Sequence, residues 1–273
     1  MRAVSNPGFV AVRPWLRAGM LALALAGLAG CKGKGIDFSA RLPEPATLDH
    51  GQLKAQADAL GKQYDKKPGE KQVSLRYAQV LRQLSLHGQA AAVLERTAMT
   101  NSNDPEVAGA YGKILADVGR LKEAAEVLAR AHTPDRPDWK VLSAQGAVAD
   151  QLGHHARAQE FYQNALQVSP GEPAVLANLG LSYALTRRLP EAEDALRKAA
   201  EHPRADKRVR ANLALVLALQ GKFKESEDMA RRDLAPREAE SNVQEIRKLI
   251  SQTNSWQEIQ KSELAKAQKQ AGR

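Results

Sequence analysis

The sequence predicts an all-α chain, built as a stack of helical hairpins of equal length. Two observations carry that expectation. Aromatic residues are only 4% of the 273 residues, while alanine, leucine, lysine, arginine, glutamate and glutamine dominate, a composition that suits helices better than sheets. Breaking residues then recur every 34 positions, at Ser85, Gly119, Gly153, Arg187 and Gly221. Small residues keep a fixed distance from them: Ala78, Gly112, Gly146, Gly180 and Ala214 before, and Ala90, Ala124, Ala158, Ala192 and Ser226 after. Two helices that cross closely need small side chains at the crossing, and a polar residue or glycine between them ends the first helix.

The N-terminus reads as an address. Residues 1–17 carry Arg2, Arg13 and Arg17 and no acid, and Ala18–Gly30 is an unbroken run of apolar and small residues. Thirteen helical residues rise about 20 Å, short of the roughly 30 Å hydrocarbon core, so residues 1–30 read as a secretory signal peptide and not a membrane span. The run ends in Leu28-Ala29-Gly30-Cys31, with the chain's only cysteine. These four residues resemble the lipobox of bacterial lipoproteins. The resemblance implies cleavage before Cys31 and acylation of its sulfur and new α-amino group; several acyl chains anchor stably where one does not. Lys32, not aspartate, follows the cysteine, which favours the periplasmic face of the outer membrane. Residues 31–46, rich in glycine, proline and charge, read as a lipidated flexible tether.

The body follows in five units over residues 71–240. Between the small residues stand larger ones that fill the space between hairpins: Tyr77, Tyr111, Gln145, Leu179 and Leu213 in the first helix, and Leu94, Leu128, Tyr162, Leu196 and Ala230 in the second. Period and offsets resemble the tetratricopeptide repeat, with Pro170 at the repeat-closing position. The implied fold is a tetratricopeptide superhelix of about five helix-turn-helix repeats with flanking cap helices. Residues 47–70 resemble the second helix of an incomplete repeat. Residues 241–252 complete a capping helix in which Val243, Ile246, Leu249 and Ile250 stand at helical spacing. The polar tail, 253–273, has Trp256 as its one aromatic residue and reads as frayed.

In the family, positions 2, 5, 9, 12 and 13 of each unit face the concave groove. Carried onto this chain, they give a charged first half that includes Arg82, Lys113, Asp117, Lys140 and Asp150. The second half is apolar, with Leu181, Leu185, Leu215 and Leu219, Arg208 at its edge, and Asn178 and Asn212 alongside. Two readings of the apolar half stand together. It takes an amphipathic helix or an extended peptide, whose backbone the asparagines hold; or its leucines pack against one another and the cap.

Residues 170–250 also resemble TadD-type proteins, the tetratricopeptide lipoproteins of the tight-adherence (Flp) pilus machinery, through NLGLSYALTRRLPEAEDALRKAAEHPRAD and RVRANLALVLALQGKFKESEDMARRDLAPREAESNV. That resemblance implies protein partners from pilus or secretion machinery, with the outer-membrane secretin as one candidate. Two other readings share the architecture: an assembly factor or pilotin for another envelope complex, and an adaptor that sets a basic face against peptidoglycan. The net charge of +9, or +6 beyond the first 17 residues, suits an anionic surface or acidic proteins. No aromatic residues interleave the basic ones, which argues against nucleic acid. Catalysis and cofactors are not expected. KGKG at 32–35 lacks the strand of a phosphate loop, the paired carboxylates at Glu191, Glu193 and Asp194 suit a helix start, and His154-His155 reads as a solvated turn.

Overall fold

A computed structural model describes residues 49–252, in twelve helices. The expected signal peptide, Cys31, the tether and the polar tail lie outside the described residues. Helix α1 (His50–Lys66) precedes five hairpins: α2 (Lys71–Gln83) with α3 (His87–Thr100), α4 (Pro105–Asp117) with α5 (Leu121–Leu128), α6 (Trp139–Gln151) with α7 (His155–Val168), α8 (Pro173–Leu185) with α9 (Leu189–Glu201), and α10 (Lys207–Leu219) with α11 (Phe223–Ala230). Helix α12 covers residues 236–252. Among the described residues there is no strand, only an isolated bridge between Thr133 and Arg136.

Every first helix starts 34 residues after the last, and so does every second one. Two local devices set that phase. Acidic residues stand before each first helix, at Glu70, Asp104, Asp138, Glu172 and Asp206. All but Glu172 accept hydrogen bonds from the helix's free N–H groups, as Asp104 does from Glu106 and Val107 at 3.0 and 3.1 Å. Inside each hairpin, Ser85, Gly119, Gly153, Arg187 and Gly221 all adopt the left-handed region, with φ between 61° and 81°. The next N–H then reaches back five residues, as from Arg120 to the Leu115 carbonyl at 2.9 Å, and closes the helix.

The hairpins close over missing side chains. A Cβ at Gly112 would stand 2.6 Å from Leu128 Cγ, one at Gly146 2.5 Å from Tyr162 Cε1, and one at Gly180 2.6 Å from Leu196 Cγ. All three neighbours are buried, so the glycines are what let helix meet helix. The core is a chain of overlapping clusters: Leu81, Leu94, Ile114, Leu115, Leu128 and Val148; then Leu142, Tyr162, Val175 and Leu179; then Leu196, Leu213, Val216 and Leu217. Each joins neighbouring repeats, as stacked hairpins must.

The regular pattern breaks in two places. Helix α5 has 8 residues where α3 and α7 have 14; Pro134 stands where a helix of that length would end, and its missing N–H and its ring, which would meet the carbonyl of residue 130, keep the helix from running that far. The segment 129–138 replaces the missing turns, and Gln145 donates to the Leu128 carbonyl at 3.2 Å while His132 Nε2 lies 3.1 Å from its Oε1. Gln145 is buried, and this role explains a polar residue where the other repeats carry tyrosine or leucine. Helix α11 likewise stops at Ala230, ahead of Pro236. Helix α12 buries Ala239 and Val243 and lies against α11, with Arg247 5.1 Å from the Phe223 ring.

Candidate protein-binding face

Each first helix packs on its hairpin partner and also on the first helix of the next repeat, while successive second helices touch slightly at most. The row α2, α4, α6, α8, α10 is therefore crowded on the inner side of the curve. This row carries the groove positions.

In the first half of the row, most charges neutralise one another between repeats. Lys71 meets Asp104 at 2.7 Å and Glu106 at 2.8 Å, and Arg82 clasps Asp117, whose side chain is 3% exposed. Lys113 differs. It is half-buried on α4 and takes part in no hydrogen bond or ion pair among the described residues. Burial pushes its ammonium down to about 8; Asp138 pulls the other way, while Arg82 and Lys140 add to the depression.

A buried polar knot occupies the middle. Asp150 on α6 accepts from Ser182 Oγ at 2.8 Å and from the Tyr162 hydroxyl at 3.1 Å, and His155 Nδ1 lies 2.8 Å from its Oδ1. Burial pushes the Asp150 carboxyl up, and those three partners pull it back. The sequence places His155 in a solvated turn; the structure instead ties its ring to Asp150. Ser182 is fully buried, so this Asp-His-Ser meeting joins α6, α7 and α8 and offers no nucleophile to a substrate.

The second half gathers the apolar set on two adjacent helices. Asn178, Leu181 and Leu185 belong to α8; Arg208, Asn212, Leu215 and Leu219 belong to α10. Leu181 and Leu215 are each 7% exposed, whereas Leu185 and Leu219, at the helix ends, are half-buried. Asn178 donates to Ser143 Oγ of the preceding repeat at 3.3 Å. Arg208 is exposed and donates to its helix cap, Asp206, at 2.8 Å. What remains open to a partner is thus an apolar rim at Leu185 and Leu219, not a continuous leucine floor.

Sequence reasoning missed three features. The acidic caps repeat every 34 residues and were there to be read. Glu193 reaches Lys222 at 2.6 Å, Gln220 at 2.8 Å and Arg197 at 2.8 Å; although burial raises its carboxyl, these partners hold it down to about 2. The Asp150 knot had no local sign, since its members lie up to 32 residues apart.

Residues 151–216 match the family model described as tetratricopeptide repeat. PilW, titled a widely conserved type IV pilus biogenesis factor, aligns at 17% identity over 67% of this chain and 83% of its own, with a TM-score of 0.55. TTC0263, a thermophilic tetratricopeptide protein of Thermus thermophilus, aligns at 22% identity over 63% of this chain and 97% of its own, also at 0.55. A chain of the APC/C Cut9–Hcn1 hetero-tetramer aligns at 19% identity over 71% of this chain and 40% of its own, at 0.57. No curated protein matches the sequence. With five in-phase hairpins, and helices throughout the described residues, this is a protein of the tetratricopeptide-repeat fold.

Proposed function

We propose that the chain is a membrane-anchored scaffold that binds protein partners in Flp pilus assembly along the inner row of first helices. The carrying observation is that row itself: five helices held in one phase by left-handed turns, with Leu185 and Leu219 leaving an apolar rim at the C-terminal ends of α8 and α10. Such a rim suits one face of an amphipathic partner helix. The pilus setting rests on the TadD-like text of residues 170–250, and the shared fold of PilW, itself a pilus biogenesis factor, is in keeping with it. The Cys31 anchor would hold the array at the periplasmic face of the outer membrane.

Two experiments test this reading. Crosslinking in envelope fractions should recover the pilus secretin with the wild-type chain and lose it with Cys31→Ser; recovery of no pilus component in either case overturns the proposal. Replacing Leu185 and Leu219 together with glutamate should abolish that crosslink with an unchanged melting curve. Unfolding of the double variant would instead assign both leucines to packing.

A further inference from the structure

The hairpin turns line the edge of the stack at which first helices end and second helices begin, and that edge carries cations without partners. Lys122, Arg157, Arg187 and Lys224 stand one to a repeat, in or just past the turns of repeats 2 to 5. All four are exposed and none forms an ion pair among the described residues; Arg157 only covers the Phe161 ring at 5.4 Å. The acids beside them already hold arginines: Glu123 pairs with Arg120 at 2.5 Å, Glu191 with Arg188 at 3.0 Å and Glu225 with Arg197 at 2.6 Å. The opposite edge, where second helices lead into the next first helices, has instead an acid at every junction: Glu70, Asp104, Asp138, Glu172 and Asp206. Lys122, Arg157 and Lys224 lie in the first turns of α5, α7 and α11, where a cation meets the positive end of the helix and weakens it. Arg187 takes a left-handed position that three other turns give to glycine. The stability of the stack therefore does not account for this row.

We propose that the turn edge docks on a bilayer surface bearing anionic phospholipids. This rests on the Cys31 anchor: residues 31–46 stretch to at most about 55 Å, which keeps the stack near the headgroups. Neighbouring first helices pack about 10 Å apart, so the four cations are spread over roughly 30 Å. Spaced one to a repeat, they match a surface of even charge density better than a single anionic group. Each lysine or arginine beside an anionic leaflet favours contact about fivefold at low salt. Contact along this edge leaves the inner row of first helices, which lies between the two edges, open to a protein partner.

The test uses the lipidated full chain on two kinds of vesicle, phosphatidylcholine alone and phosphatidylcholine mixed with phosphatidylglycerol, both with a nitroxide quencher on the headgroups. A fluorophore is attached at the turn edge through Ala156→Cys, or at the opposite edge through Ser102→Cys; both positions are exposed. The turn-edge probe should be quenched at least about fivefold more on the mixed vesicles than on phosphatidylcholine, and the Ser102→Cys probe should not respond. Replacing Lys122, Arg157, Arg187 and Lys224 together with glutamine should abolish that quenching with unchanged circular dichroism, and so should molar salt, which screens charges beyond about 3 Å. Should the fourfold variant lose helicity, the single variants decide, each lowering the ratio of docked to free chain about fivefold. Equal quenching on both vesicles, equal quenching of both probes, or quenching that survives the variants overturns the docking. Binding to purified peptidoglycan without quenching on the mixed vesicles overturns it too, and assigns the edge to the wall polymer. A chain that floats with the mixed vesicles alone keeps the edge and removes the anchor; one that floats with neither removes both.

Discussion

Replacing Lys113 with methionine should make the protein more stable. Methionine keeps the length of the stem and removes the charge. A lysine pushed from its ordinary 10.5 to about 8 costs the folded chain about 3 kcal/mol at most while it is charged. Because Lys113 is only half-buried, water screens part of this, and about 1–2 kcal/mol is the expected gain at pH 7. The sign with pH follows from proton linkage. Below about 8 the amine is charged in both states and the penalty is complete. Between about 8 and 10.5 the folded amine is neutral while the unfolded one still holds its proton, so the wild type gains stability as pH rises. Urea unfolding of wild type and variant at pH 7 and pH 10 measures this directly. The variant should lead at pH 7, and its lead should shrink at pH 10. Equal midpoints at pH 7, or a lead that does not shrink, would refute the claim that Lys113 is held charged against its surroundings.

Four further outcomes follow from the packing, the turns and the ion pairs. Gly146→Ala drives a methyl into Tyr162, which is buried and tied to Asp150, so it should cost about 2 kcal/mol and several degrees of melting temperature. Gly88→Ala, with nothing within 4 Å, should be neutral or stabilising in the same melt. Arg187→Gly relieves a side chain from the left-handed region at φ 62°, and the unfolding free energy measured in urea should rise by about 0.5–1 kcal/mol after glycine's own chain entropy is subtracted. Glu193→Gln should lose about 1–2 kcal/mol at pH 7. That deficit should close as pH falls from about 4.5 to about 2, because a depressed carboxylate stabilises above its unfolded value and loses this as it is protonated.

The phase of the array was legible because it is written in single residues. A left-handed turn needs glycine or a tolerant polar residue, and a close crossing needs glycine or alanine, so both leave marks every 34 positions. Pro134 was equally visible, yet its effect on α5 depends on which carbonyl its ring would strike, and that requires the helix to be placed first. The binding face was legible as a row of positions and not as a surface. Leu181 and Leu185 look alike in sequence, but neighbouring helices cover the first and leave the second half open. Asp150 read as a groove acid; its three partners come from two other helices, and only the stack brings them together.

The shortened α5 has a consequence for how this chain can change length. One residue added inside any of the helices rotates the rest of that helix by roughly 100°, since 3.6 residues complete a turn, and sweeps its small side chains away from the crossing. Between residues 129 and 138 the helical phase is already released, and it starts afresh where Asp138 caps α6. Insertions and deletions there need not propagate, so this segment is the natural place for a tag, a protease site or a foreign loop.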